Sequence, residues 1–241
     1  MKKRKKNYRK AKYFLFAILA TLLFSWLLLP KIESFQKTIP DVVELPKDVK
    51  ESIKNLKPQK YVRVPILLYH YVEYVKDKKD TIRKSLNIEP YFFEAQVKTL
   101  KEARFAFITP SDLADFLDDK NNLPSRPVIL SFDDGYRDFY TDVFPILKKY
   151  QVKAVVYIVP NFLNLPNNLT TWQLKEIAES GLVEIGAHTM DHTYLSGLPL
   201  HRVKYAVEES KKYLENNFGI SVVTFAYPYG AFDNQVIDVV K

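Results

Sequence analysis

The sequence predicts an α/β domain built on a parallel sheet, and three observations predict it. From residue 64 onward, apolar runs of strand length alternate with amphipathic segments of helix length. Six of each occur in strict alternation, the pattern of strand–helix–strand crossovers. Helix start and stop signals fall between the runs. This pattern is compatible with an open sheet or with one closed into a barrel.

The elements follow in order. "VPILLYHYV" (64–72) reads as a strand, and "EPYFFEAQVKTLKEA" (89–103) spaces Phe92, Phe93, Val97 and Leu100 as one helix face. "FAFI" (105–108) is a strand. In "TPSDLADFL", Thr109 is an N-cap with Pro110 at the first helical position and Asp112 at the third, so a helix starts there. "PVILSF" is a strand, "DFYTDVFPILKKY" a helix and "KAVVYIV" a strand. Thr170 and Gln173 stand at capping-box spacing in "TTWQLKEIAESG", which Gly181 stops. "LVEIGA" is a strand, Leu200 to Asn216 an amphipathic helix closed by Asn217 and Gly219, and "SVVTFAY" a strand. "NQVIDVVK" begins a helix at which the pattern breaks off, so a final strand is expected to be lacking.

Charge separates the N-terminus from this domain. "MKKRKKNYRKAK" (1–12) carries eight of the 36 basic residues and no acid, leaving 28 basic against 28 acidic residues in the rest. The excess positive charge thus lies in the head and not in the body, so it does not argue for a phosphate-binding surface, and nucleic acid is not expected as a partner. Residues 13–29, "YFLFAILATLLFSWLLL", are uncharged and lack Gly and Pro. As a helix they span about 25 Å, close to a hydrocarbon core of about 30 Å once Lys12 and Lys31 snorkel. The reading is an uncleaved signal-anchor, with the basic head in the cytoplasm and everything after Pro30 across the membrane. A cleaved signal peptide, giving a secreted protein, is the competing reading, but no small-x-small site follows the apolar run. Residues 30–61, with Pro40, Pro46 and Pro58, read as an extracytoplasmic stalk, and 62–241 as the folded domain. No cysteine is present, so thiolate metal sites and disulfides are excluded.

Four polar clusters stand at the C-terminal ends of predicted strands: Tyr69-His70, "DDG" (133–135), "HTMDH" (188–192) and "YPYG" (227–230). In parallel α/β folds that edge gathers ligands and catalytic groups. Singly, each has an ordinary reading: a satisfied histidine, a turn, a hydrogen-bonded loop, another turn. Together they make a site. His188 and His192, four apart in a tight loop, with one carboxylate from Asp133 or Asp134, are a common set for catalytic zinc with a position left for water. The other aspartate is held near that water and accepts its proton, and His70 is placed to protonate a leaving group. The chemistry is metal-assisted hydrolysis.

"SFDDGY", "HTMDH" and "YPYG" resemble the first three motifs of the polysaccharide deacetylases, the carbohydrate esterases with the NodB-homology domain, over roughly residues 62–241. The resemblance implies a distorted (β/α) barrel of about seven strands, here lacking the last. It also implies a divalent metal ion, zinc with cobalt or nickel as alternatives, and a polysaccharide containing N-acetylglucosamine as partner. It implies Asp133 as general base, Asp134, His188 and His192 as metal ligands, and Tyr229 as the residue whose backbone N–H stabilises the oxyanion. Two positions depart from the family pattern. Ala226 stands where an arginine usually braces the catalytic aspartate, and Arg137 is a candidate replacement by proximity in sequence. The Leu-x-His motif of the general acid lies at Leu68-Tyr69-His70, before the other motifs. That order, with "PILLYH" and "FAYPYG", resembles the circularly permuted branch acting on poly-β-1,6-N-acetylglucosamine, and implies His70 as the acid. The tryptophan/aspartate motif of the acetyl pocket is not identified within residues 62–241.

The function expected is de-N-acetylation of a surface exopolysaccharide by a membrane-tethered enzyme. Peptidoglycan is the alternative polymer, and a glycan-binding module with a vestigial site the alternative class; no protein partner is expected. Tyr69, Tyr136 and Tyr227 stand where they either stack on sugar rings or pack.

Overall fold

Seven strands and seven α-helices occur among the described residues from 61 onward. The strands are β1 (Ile66–Tyr69), β2 (Tyr71–Val72), β3 (Asn87–Ile88), β4 (Ala106–Phe107), β5 (Pro127–Phe132), β6 (Ala154–Ile158) and β7 (Val183–Ala187). The helices are α1 (Thr81–Ser85), α2 (Pro90–Glu102), α3 (Pro110–Leu117), α4 (Phe144–Tyr150), α5 (Thr171–Glu179), α6 (Leu200–Phe218) and α7 (Asn234–Val240). This is a computed structural model, and it describes residues 47, 51, 61–77 and 79–241. The predicted basic head, the predicted membrane helix 13–29 and the stalk, apart from Lys47, Glu51 and Tyr61, lie outside the described residues. No helix among those described is long and apolar enough to cross a membrane. Lys60–Lys241 forms one compact unit.

The main sheet is parallel throughout, in the order β1-β5-β6-β7, with β4 pairing the first two residues of β5. β2 and β3 form a separate two-stranded parallel pair. All six residues of β5 and all five of β6 are buried, which explains their unbroken apolar sequence: a strand covered on both faces needs no polar alternation. Leu130, Phe132, Val156 and Ile158 pack with Phe144 and Leu147 of α4, Leu174 and Ile177 of α5 and Leu214 of α6. Ile129, Val155 and Tyr157 form a second, smaller cluster with Ile108. Each fully buried Leu or Phe contributes about 1.5–3 kcal/mol, so this double layer makes the sheet the rigid frame of the molecule.

The predicted capping boxes form as the sequence implies. Thr109 Oγ1 accepts the Asp112 N–H at 3.2 Å while Asp112 returns the bond to Thr109 N at 2.9 Å. Thr170 and Gln173 do the same at α5. Gly219, at φ +64°, ends α6 in the left-handed conformation that glycine tolerates best.

Three expectations need correction. The barrel is not closed among the described residues. β1 and β7 end the path, and β1 leaves Ile66 and Leu68 60% and 57% exposed because no strand covers that side. The run 221–227 makes only one bridge, Phe225 to Ala187, since the last residues of β7 are its single partner. The run 64–72 is not one strand, because its hydrogen-bond partners change at His70. Tyr69 O still accepts from Asp133 N beside β5, whereas the Tyr71 N–H turns to Leu86 O and the Val72 N–H to the buried Asp138 carboxylate. The helix predicted over 138–150 opens with one wide turn, Phe139–Val143, just ahead of Pro145, which has no N–H to give to a tighter ladder.

Candidate active site

Parallel pairing puts the strand ends in one row. Tyr69 is in register with Phe132, Ile158 with Ala187, and Ala187 with Phe225. The residues that follow, His70, Asp133, His188 and Ala226, therefore leave the same edge. The four clusters singled out in the sequence meet there.

Each loop is turned by backbone that favours few residues. Asp134 and Gly135 have φ of +70° and +65°. A Cβ at Gly135 would also lie 2.9 Å from Ile158 Cδ1, so glycine answers both constraints. The turn is braced from outside, where Asn168 Nδ2 donates to Asp134 O and Leu169 N to Gly135 O. Thr189, His192 and Tyr229 also sit near φ +60°, a conformation costly for non-glycine residues and most so for β-branched Thr189. Thr189 is fully buried, and its Oγ1 accepts the Thr193 N–H at 3.0 Å, stapling the loop that carries both histidines. Sequence reasoning passed over Thr189; its signal was a hydroxyl one residue after His188, four residues ahead of the Thr193 N–H it accepts.

Asp134, His188 and His192 converge, with one ligating atom from each lying within 4.8 Å of the others. Asp134 Oδ1 is 3.4 Å from His188 Nε2 and 3.1 Å from His192 Nε2. Neither approach has hydrogen-bond geometry, and this buried oxygen has no hydrogen-bond partner. His188 Nδ1 lies 2.8 Å from Ala226 O. A carbonyl only accepts, so Nδ1 carries the proton and Nε2 turns its lone pair to the carboxylate. Lone pairs aimed at each other around a buried anion call for a cation between them. One carboxylate oxygen and two imidazole nitrogens fit a divalent metal ion, and the Ala226 carbonyl fixes the ring of one ligand.

The adjacent aspartates are pushed in opposite directions. Burial alone would raise Asp134, but His188 and His192 beside it hold its carboxyl well below the usual range. Asp133 is raised above the ordinary value by burial, with His188 and His70 only partly offsetting it. Its Oδ1 is buried without a hydrogen-bond partner. Burial disfavours the His188 cation, yet Asp134, Asp133 and the Ala226 carbonyl together raise its pKa.

The remaining expectations sort as follows. Tyr229 reaches the centre, with its ring 4.6 Å from that of His192. Arg137 does not brace Asp133, because its guanidinium donates to the carbonyls of Asn168 and Leu165. Ala226 instead packs against the Ile108, Ile129, Val155 and Tyr157 cluster, so an apolar wall stands where the family carries a cation. The three tyrosines named for stacking are packed. Tyr69 lies between Phe93 and Phe132 and donates to Gln96, Tyr136 lies on Tyr71, and Tyr227 lies between Phe225 and Phe232.

Comparison with known proteins gives the family. Residues 120–241 match the family model described as polysaccharide deacetylase. YxkH of Bacillus subtilis (strain 168) is 30% identical over 209 residues, covering 87% of this chain and 71% of that protein. The poly-beta-1,6-N-acetyl-D-glucosamine N-deacetylase of Staphylococcus aureus (strain MRSA252) is 32% identical over 194 residues, 75% of this chain and 66% of the relative. Among solved structures, the Streptococcus pyogenes deacetylase PplD in complex with acetate aligns with a TM-score of 0.69. It is 28% identical and covers 74% of this chain and 79% of that one. The chain belongs to the polysaccharide deacetylase family of carbohydrate esterases, and it is a hydrolase of that kind.

Proposed function

We propose that the protein hydrolyses the N-acetyl group of N-acetylglucosamine units in a surface polysaccharide, with poly-β-1,6-N-acetylglucosamine as the favoured polymer. The observation that carries this is the convergence of His188 and His192 on the buried, unpartnered Asp134 carboxylate oxygen, with Asp133 beside it. The choice of polymer rests on the staphylococcal relative, named for that polymer, and on the position of His70 ahead of the other motifs.

Asp134, His188 and His192 would hold a divalent ion, zinc in our reading, with cobalt or nickel as alternatives. Bound there, it would polarise the amide carbonyl and lower the pKa of a water molecule. Asp133, raised by burial, takes the proton from the attacking water. His70, leaving the neighbouring strand, returns a proton to the departing amine nitrogen. The backbone N–H of Tyr229 donates to the oxygen on which negative charge develops. Water and N-acetyl group are consumed, and acetate and a free amine are formed. Each turnover leaves an amine that is cationic at neutral pH, which changes how the polymer adheres to anionic surfaces. The apolar segment 13–29 would tether the domain to the outer side of the membrane.

Acetate release from N-acetylglucosamine oligomers, followed with and without a chelator, tests the reading. Release should stop on chelation and return with added zinc. Unchanged release after metal stripping would remove the mechanism. Saturable polymer binding with no acetate release at any metal loading would identify a glycan-binding module.

A further inference from the structure

The three tyrosines that the sequence offered for sugar stacking are packed, yet two others stand free beside the centre. Tyr229 and Tyr194 are 72% and 57% exposed, with ring centroids 6.2 Å apart and planes tilted by 36°. Tyr229 lies edge-on to His192, so the pair runs outward from the metal-ligand cluster. Single exposed aromatics are ordinary, but two adjoining ones at the mouth of a buried polar centre are a built surface.

The backbone beneath both rings is fixed. Ahead of Tyr194, the Thr193 N–H is held by the buried Thr189 hydroxyl. After it, Leu195 is fully buried with Val203, Ala206 and Val236. The Met190 N–H donates to Ala206 O on α6 and anchors the same loop. Tyr229 lies between the buried Pro228 and Gly230, at φ +59°. Left-handed backbone at a large aromatic is costly, and here it turns the ring to solvent instead of into the core. Rigid backbone under exposed aromatic rings removes most of the ordering cost of binding.

We propose that Tyr194 and Tyr229 form a stacking platform for a pyranose ring of the polymer, next to the unit that is deacetylated. A pyranose presents a face of C–H groups edged by hydroxyls, which suits a phenol ring with its hydroxyl in water. The platform sets the preference for a chain over a single sugar. It rests on the reading of the site as a glycan deacetylase, and Tyr194, whose ring pairs with Tyr229 and which is not among the converging ligands, is the residue that reports on it.

Initial rates of acetate release from oligomers of one to five N-acetylglucosamine units test it in the metal-loaded full chain. Tyr194→Ala should lower kcat/KM, mainly through KM, by about three- to tenfold on the longest oligomers. The loss should shrink as the oligomer shortens, and Tyr194→Phe should restore the wild-type dependence on length. An equal loss at every length, or no loss, overturns the proposal. Binding of the same oligomers to Asp133→Asn protein, with and without Tyr194→Ala, separates the two readings. Length-dependent binding that needs Tyr194, in a protein whose wild type releases no acetate, keeps the platform and removes the deacetylase reading. Acetate release with binding indifferent to Tyr194 does the reverse.

Discussion

The helix starts at Thr109 and Thr170 and the strand ends at Asp133 and His188 use the same kinds of polar residue to opposite ends. At the two threonines, every capping group finds its partner three residues away. At the strand ends, two buried carboxylate oxygens have no hydrogen-bond partner, and Asp134, Thr189, His192 and Tyr229 hold left-handed backbone. An unmade hydrogen bond in a buried position costs about 1–3 kcal/mol, so satisfied and unsatisfied regions differ in what they are built for. The first stabilises the fold; the second holds lone pairs ready for a ligand.

The sharpest way to break this contrast is to remove a converging lone pair. His188→Ala should abolish metal uptake, measured as bound metal per chain, and with it all acetate release above background. Asp133→Asn should keep the metal, because Asp133 is not among the converging ligands, and lose about 10²- to 10⁴-fold in kcat. If the Asp133 variant lost its metal as well, the division of roles between the two aspartates would be wrong.

Asp138 is a third case, a buried carboxylate that does find a partner. It is buried and accepts the Val72 N–H, tying the chain beyond His70 to the wide turn after the DDG loop. Burial pushes its carboxyl from an ordinary 3.8 up to about 6, despite that bond. Between those values the folded state holds a proton that the unfolded chain has already released. Stability therefore falls as pH rises through about 4 to 6 and stays lowered above, by up to ~3 kcal/mol. Asp138→Asn, whose carbonyl oxygen can still accept from Val72, should lose this slope. Urea unfolding at pH 4.5 and 7.5 reads it: the gain of the variant over wild type should be clearly larger at pH 7.5 than at pH 4.5. A parallel pH dependence in both proteins would show that Asp138 is ionised at little cost.

What was legible in the sequence was whatever is encoded locally. Helix caps, the apolar runs of β5 and β6 and the four clusters at strand ends depend on neighbours within a few residues, and the structure has them. The break at His70 was not legible, because it depends on Asp138, 66 residues beyond Val72, and on Leu86. Nor was the open sheet, since pairing between its ends is a long-range property that no single run reports. In the site, the motifs identified Asp134, His188 and His192 as a cluster, but not the Ala226 carbonyl that orients His188. A backbone acceptor carries no residue-type signature. The same limit explains the tyrosines. Tyr69, Tyr136 and Tyr227 sit at the predicted edge, half-buried, and only the packing of Phe93, Phe132, Tyr71 and Phe225 against them shows that their faces are taken.

The smallest effect tests the satisfied side of the contrast. Thr170→Ala removes the hydroxyl that accepts the Gln173 N–H, while Gln173 can still accept the backbone N–H of residue 170. The loss should be about 1 kcal/mol of unfolding free energy, read from the urea midpoint at unchanged slope. Turnover on saturating substrate should not move, because Thr170 begins α5 and touches none of the converging groups. The same substitution at Thr189 offers the counterpart. There a buried hydroxyl staples the histidine loop, so activity as well as stability should fall. Equal behaviour of the two threonine variants would mean that the strained loop holds its shape without its staple, and that the strain is carried by the sheet edge instead.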